Sequence, residues 1–363
     1  MDHNHKDTLR VEITSIVIPT TGNRLSELDR LIDSIAEQKI LPLEILICGN
    51  LRNTTLDERF NYWKIKHPLL SSRLRLHFTG VKGVNTARNL GIRESRGEII
   101  LFLDDDCRMN HPEFIFEHQR LHRSHPNVTA IGGPYELSSS AGIMEAAYHW
   151  NAHYWLSKVN EDSSLPQKEL LGGNFSVKSL LLGTIKFSES IVFGGAETDF
   201  VYRIQNQKHQ VLWSPDLSLI HQNQLGFREF LNKSFLQGFG LGRRLLNGIQ
   251  KNPENENSHL RELNQLLIDN GLSLFKRSLI LSMVYFSESF FQLGIEHAYS
   301  QSRHLPVQPT FQNYLSKMSL KILGVEFVKR QFYRLKTLCN ALLIIRKKSL
   351  VEPLIGSDIE TIK

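Results

Sequence analysis

Cysteine is scarce in this 363-residue chain. Its three thiols, Cys48, Cys107 and Cys339, are odd in number and far apart. No disulfide framework is expected, and reduced thiols point to a cytoplasmic setting. An apolar leader is also lacking: Met1 to Arg10 is polar and carries His3 and His5, which read as a frayed tail. No secretory signal is read there. Long uncharged runs are missing too. Within the apolar stretch Leu272 to Tyr299, the run Ser278 to Ser287 lies between Arg277 and Glu288, well short of the roughly 20 residues that span a bilayer. No internal repeat or low-complexity segment is visible. What remains is the composition of a packed protein, 41% hydrophobic and 22% charged, and not of a disordered one. The length accommodates one large domain with an appendage, or two domains.

Net positive charge is missing from most of the chain. The net charge is +6, yet the segment from Lys317 to Lys348 holds nine Lys or Arg against Glu326 alone. That segment is +8 and the remainder −2, so the high isoelectric point is no nucleic-acid footprint, and no nucleic-acid partner is expected. The same segment places Leu320, Leu323, Phe327, Leu335, Leu338, Leu342 and Ile345 at helical spacing. A basic amphipathic helix suits an anionic membrane surface. Equally, it suits a helix packed on the rest of the chain with its charges in water.

Apolar patterning gives the fold class. Thr14 to Ile18 reads as a strand ended by Pro19-Thr-Thr-Gly-Asn23, and Leu25, Leu28, Leu31, Ile32 and Ile35 form a helical stripe. Leu43 to Cys48 and Arg73 to Phe78 read as strands, and a Gly-rich turn opens a helix from Gly80 to Ser95. Ile99 to Leu103, five apolar residues without a break, reads as a strand buried on both faces. Strands alternating with helices predict a doubly wound, mostly parallel α/β sheet flanked by helices. Further strands are expected at Val128 to Ile131, Leu170 to Val177, Val211 to Trp213 and Leu217 to Ile220. Gly172-Gly173 inside a strand marks a close approach by a ligand or another backbone. From about Phe227 onward the chain reads as helical.

Asp104, Asp105 and Asp106 follow the buried run directly. Three adjacent carboxylates repel one another unless a cation sits among them. A divalent ion with oxygen ligands, itself holding a phosphate, is the natural partner. Open α/β sheets bind ligands at the carboxyl ends of their strands, where these acids lie.

Four stretches, in order, resemble the inverting family 2 glycosyltransferases, which have a GT-A fold. Ser15-Ile-Val-Ile-Pro-Thr20 with its Leu-rich helix is similar to their opening strand and helix. Gly83-Val-Asn-Thr-Ala-Arg-Asn-Leu-Gly91 resembles their G-x-x-x-A-R-N-x-G turn, and Phe102-Leu-Asp-Asp-Asp106 their D-x-D motif. Gly195-Ala-Glu-Thr-Asp-Phe-Val-Tyr-Arg203 resembles their E-D-x-D-L-x-x-R segment. The resemblance covers roughly residues 13–245. It implies a GT-A domain there, between a polar tail at 1–12 and a helical region at 246–363. No Q-x-x-R-W segment is present, which argues against a processive polysaccharide synthase.

The resemblance implies a nucleotide-sugar donor, Mg²⁺ or Mn²⁺, and a saccharide or lipid-linked acceptor, as in polysaccharide biosynthesis. Donor contacts are expected from Pro19, Thr20, Asn50, Arg88, Asp104 and Asp105. Metal ligation is expected from Asp106, with Asp104 and His221. Glu197 is the expected general base, with Asp199 as its alternative, because inverting transfer needs a carboxylate to take the acceptor's proton. Acceptor contacts are expected from Gly173, Asn174 and Trp155. Arg243 and Arg244, after the glycines at 238, 240 and 242, are further phosphate or headgroup clamps. Two positions depart from the family pattern. Ala196 stands where an acid is usual, and Cys48-Gly49-Asn50 replaces an acidic base-binding turn. These departures keep open an inactive sugar-nucleotide-binding module, and the shared sheet order keeps open a sugar-nucleotide pyrophosphorylase. The expected location is cytoplasmic, peripheral on the inner face of the membrane through the basic segment.

Overall fold

β1 (Thr14–Thr20) is buried along its whole length. In this computed structural model, residues 13–52, 54–161, 169–191, 195–222, 224–248 and 259–301 are described. The basic segment 317–348 and the polar tail 1–12 lie outside them. Helix α1 (Leu25–Ala36) turns Leu28, Leu31, Ile32 and Ile35 onto the sheet. β2 (Glu44–Gly49) follows, then α2 (Thr54–Lys66), the short α3 (Pro68–Ser71) and β3 (Leu74–Phe78). Next come α4 (Val84–Glu94) and β4 (Ile99–Leu103), every residue of which is buried. The chain continues through β5 (Cys107–Arg108), α5 (Phe114–Ser124), β6 (Val128–Gly132), β7 (Tyr135–Leu137) and the long α6 (Ile143–Glu161). After β8 (Asn174–Lys178) come α7 (Ala196–Asn206), β9 (Gln210–Trp213) and β10 (Leu219–His221). Three helices end the described chain: α8 (Phe227–Leu246), α9 (His259–Asp269) and α10 (Leu274–Gln301).

Seven strands form one sheet in the order β3-β2-β1-β4-β8-β6-β9. All pair in parallel except β8, which is antiparallel to both β4 and β6. The expected mostly parallel, doubly wound α/β architecture is therefore present. β5, β10 and β7 form a small second sheet. It sits beyond the carboxyl end of β4 and carries His221 opposite Cys107.

The C-terminal helices pack as a separate apolar layer around Phe230, Phe235, Leu263, Ile280 and Val284. The uncharged run inside α10 is short, but the helix is not: among the described residues, Leu274–Tyr299 is long and apolar enough to cross a membrane by length and composition. In this fold it packs on α8, α6 and α9. A side chain on Gly238 would lie 1.9 Å from the carbonyl oxygen of Phe291. The backbones of α8 and α10 thus touch, which only small residues permit.

Beneath the sheet, α5 clamps β8 through a buried polar knot. His118 Nδ1 and His122 Nε2 lie 2.9 and 2.8 Å from the Ser176 hydroxyl. Burial chiefly lowers both imidazoles to about 3. The folded state keeps them neutral, whereas the unfolded chain takes up their protons below about pH 6.5. Their contribution is complete above that pH and is lost as pH falls towards 3. Asp105, raised to about 7 by burial, acts in the opposite sense, so the comparison is made against a variant. Between pH 7.5 and 5.5, wild type should lose about 1.4 kcal/mol more stability than His122→Asn in urea unfolding. Equal pH dependence in the two proteins would contradict this account.

Candidate active site

β4 delivers three consecutive acids to the carboxyl edge of the sheet, and the fold sends each to a different partner. Asp104 Oδ1 accepts a 3.1 Å hydrogen bond from Arg88. Asp105 accepts from the Thr20 hydroxyl at 2.6 Å and lies 2.6 Å from the Arg24 guanidinium. Asp106 meets Arg24 as well, and its Oδ1 lies 3.2 Å from His221 Nε2. The expected repulsion is thus answered within the chain by two arginines and a histidine. It still leaves marks. Burial, reinforced by Asp106 and Asp104, outweighs Arg24 and the Thr20 bond and holds Asp105 up at about 7. Asp106 is pushed upward by burial, yet His221, Arg24 and Lys233 hold it well below the usual carboxylate range.

Arg88 is 2% exposed, so it does not offer an open fork to phosphate. Helix α4 turns it inward, over the Phe187 ring at 5.2 Å. There it bridges Asp104 and Glu197, the latter at 2.7 Å. The glycine pair before β8 exists for this bridge. A side chain on Gly172 would lie 2.1 Å from Glu197 Oε1, and one on Gly173 2.7 Å from the Asp104 backbone nitrogen. The close approach read from the sequence is thus made by the chain's own acids. Glu197 lies in the first turn of α7 and is partly exposed, while Asp199, one turn from Arg203, pairs with it at 2.7 Å. Ala196, where the family pattern has an acid, is 4% exposed and packs in the core.

His221 is placed by the second sheet and by Tyr135, whose ring stacks on it at 4.4 Å and 6°. The Tyr135 hydroxyl also accepts from the Gly173 amide at 2.9 Å. One tyrosine therefore fixes both the histidine and the glycine turn. Beside them opens a cavity of about 360 Å³, lined by Tyr135, Tyr148, His149, His153, Trp213 and His221 among others. Burial lowers His149 to about 3, so it presents a neutral ring.

Two expected acceptor residues sit elsewhere. Asn174 is fully buried and donates to the carbonyls of Pro134 and Leu217 at 2.9 and 2.7 Å, bracing the site from behind. Trp155 belongs to the other face of α6, packed against Tyr154 and His259 in the C-terminal layer. The pocket face of α6 carries Tyr148, His149, Ala152 and His153 instead. Pro19 lies within buried β1. Asn50 holds the turn before α4, accepting from the Gly83 amide at 3.3 Å. Arg24, Tyr135 and the two pocket histidines were not singled out by the sequence. Arg24 carries a readable signal, as a base in the turn just after β1. Tyr135 carries none, because its strand is only three residues long.

The donors fit a divalent ion in part. Asp106 Oδ1 and Asp105 Oδ1 are buried and accept no well-directed hydrogen bond among the described residues. Asp106, Cys107 and His221 bring ligand atoms within 4.8 Å of one another. Cys107 does not suit a hard cation: burial and then the neighbouring acids raise its thiol well above the ordinary value, and it lies 3.6 Å from the Gly173 carbonyl. Asp104 is committed to Arg88. Asp106 and His221 are therefore the residues that would hold the ion.

Residues 15–178 match the sequence model of the family described as Glycosyl transferase family 2. A mannosyltransferase from Pyrobaculum calidifontis, solved in complex with GDP-Man and Mn²⁺, is similar in fold. Its TM-score is 0.50 and its identity 15%, over 92% of this chain and 86% of that one. S. aureus TarS, residues 1–349, aligns at a TM-score of 0.44 and 14% identity, over 81% of this chain and 93% of that one. Among curated proteins no match is found.

Proposed function

We propose that this chain, whose residues 15–178 match the model of glycosyl transferase family 2, is a glycosyltransferase that moves a sugar, with inversion, from a nucleotide-sugar donor to a hydroxyl of a saccharide or lipid-linked acceptor. The observation carrying this reading is the pairing, within one edge of the sheet, of Asp106–His221 with Arg88–Glu197, beside a largely neutral cavity. Asp106 and His221 would hold the divalent ion, which offsets charge on the departing diphosphate. Mn²⁺ is preferred over Mg²⁺, because Mg²⁺ keeps to oxygen ligands and water. Thr20 and Arg24 hold the remaining acid, Asp105, at the donor side. Glu197 takes the acceptor proton, and Arg88 fixes its carboxylate. The cavity takes the acceptor sugar between the Tyr148, His149 and Trp213 rings, where stacking and hydrogen bonds both serve a neutral polyol.

We place the enzyme in the cytoplasm, where sugar nucleotides are at hand and the buried thiols of Cys48 and Cys107 stay reduced. Peripheral contact with the inner membrane face rests on the basic segment 317–348. One observation favours the rival of a binding module without turnover: Glu197 is already occupied by Arg88. A panel of sugar nucleotides separates the readings, with GDP-mannose first because the similar mannosyltransferase was solved with it. Mn²⁺-dependent release of a nucleoside diphosphate is expected for at least one donor. Thermal stabilisation by a donor without turnover would support the module. Turnover that requires pyrophosphate would support a pyrophosphorylase.

A further inference from the structure

Helix α8 has two working faces. One carries Phe235, Gly238, Phe239 and Gly242 against α10. The other, one turn apart, carries Lys233 and Gln237 towards α6. Gln237 Nε2 donates to the Tyr148 hydroxyl at 2.8 Å, and Lys233 Nζ stands 5.2 Å from the centre of the Tyr148 ring. Tyr148 lines the same cavity as His221. Lys233 is half-buried, yet no carboxylate lies within ion-pair distance of it among the described residues. Burial chiefly lowers its ammonium, while Asp106 and Asp104 across the site, with Glu229 on its own helix, act to raise it and Arg24 to lower it. A lysine in such a place is held over an aromatic face and left without an anion of its own.

We propose that Lys233 receives the diphosphate of the donor, as a cation contributed by α8 to the leaving group. This deepens the glycosyltransferase reading and rests on it. Three observations converge. The side chain is half-buried, so an arriving oxyanion gains more from it than from an exposed lysine. It is held in place by cation–π contact with a ring that Gln237 fixes. The ring it stands on, Tyr148, lines the same cavity as His221, the residue that pairs with Asp106. A compact ammonium suits a phosphate oxygen as a point charge. The arrangement ties the helical layer to the sheet's active edge: α8 covers the donor as well as packing on α10.

The test uses the full-length chain with Mn²⁺ and five probes: GDP, UDP, guanosine, uridine, and geranyl diphosphate as a phosphate from the acceptor side. In Lys233→Met, the dissociation constant of the bound nucleoside diphosphate should rise about 10- to 100-fold, the usual weight of a charge-assisted bond. Nucleoside affinity should not move, and Lys233→Arg should restore most of the loss. Unchanged nucleoside diphosphate affinity in Lys233→Met overturns the assignment, including the case where only melting temperature falls. Selective weakening of geranyl diphosphate also overturns it, moving the lysine to an acceptor phosphate. Wild type that binds no nucleoside diphosphate refutes the donor reading itself, and this inference with it.

Discussion

Asp106→Asn should abolish metal-dependent donor binding while leaving the fold in place. Asp106 is 2% exposed, just beyond the fully buried β4. Asparagine matches its shape and can still accept from Arg24. What it removes is the charge facing His221, and with it the one carboxylate among the expected ligands that Arg88 does not hold. Asp104 is held by Arg88, and Cys107 is a protonated thiol beside the Gly173 carbonyl. The site therefore has no replacement. Loss of second-shell partners costs about 10- to 100-fold in metal affinity, and loss of a direct ligand should exceed about 100-fold. Asp105→Asn provides the contrast. That group, raised to about 7, is already part-protonated at neutral pH, so its neutral replacement should change Mn²⁺ affinity much less. Titrating Mn²⁺ into both variants, with melting temperature as the control for folding, decides the matter. An Asp106→Asn protein that keeps wild-type Mn²⁺ affinity would place the ion elsewhere.

The sequence pattern locates the main sheet well, for a physical reason. Ile99 to Leu103 and Ile16 to Ile18 are unbroken apolar runs because both faces of a central parallel strand are covered. The stripe Leu25, Leu28, Leu31, Ile32, Ile35 is legible because α1 has a single wet face. The direction of β8 is not legible, since alternation along a strand says nothing about which way it pairs. Helices α2 and α3, between β2 and β3, leave little trace: α2 buries only Leu56 and Trp63 among its described side chains. Helix α6 defeats periodicity for the opposite cause. Tyr148, Trp150, Tyr154 and Trp155 sit around it because one face meets the cavity and the other the C-terminal layer. Aromatic content alone therefore points to Trp155, whereas the cavity is met by Tyr148 and two histidines. Arg24 meets Asp106 and Tyr135 stacks on His221 across more than 80 residues of sequence, and no local pattern records such pairings. Gly172-Gly173 is the intermediate case. The pair declares that something comes close, but only the fold shows that Glu197 and Asp104 are what comes.

Glu197→Gln should cut sugar transfer by roughly two to four orders of magnitude, the usual share of general base catalysis. Glutamine keeps the carbonyl oxygen that accepts from Arg88 Nη1 at 2.7 Å in wild type. The bridge from Arg88 to Asp104 therefore survives, and with it the donor side of the site. Nucleoside diphosphate affinity and the melting temperature should stay close to wild type. Asp199→Asn should do far less to the rate. That carboxylate takes both Arg203 contacts on a single oxygen, at 3.1 and 2.7 Å, one turn along its own helix, and it is 7% exposed. Such a pair stabilises α7. Gly172→Ala gives a second route to the same conclusion without touching the carboxylate. Its new methyl would overlap Glu197 Oε1 at 2.1 Å and Arg88 Nη2 at 2.6 Å. Both are ends of flexible side chains, so the fold should yield by moving them. Displacement of a base by about 1 Å costs rate, so Gly172→Ala should lower kcat, and because Arg88 Nη2 is the atom that holds Asp104, KM for the donor should rise with it. If Glu197→Gln transfers at the wild-type rate while Asp199→Asn is inactive, the base is Asp199. The Arg88–Glu197 pair would then serve only to hold Asp104 in place.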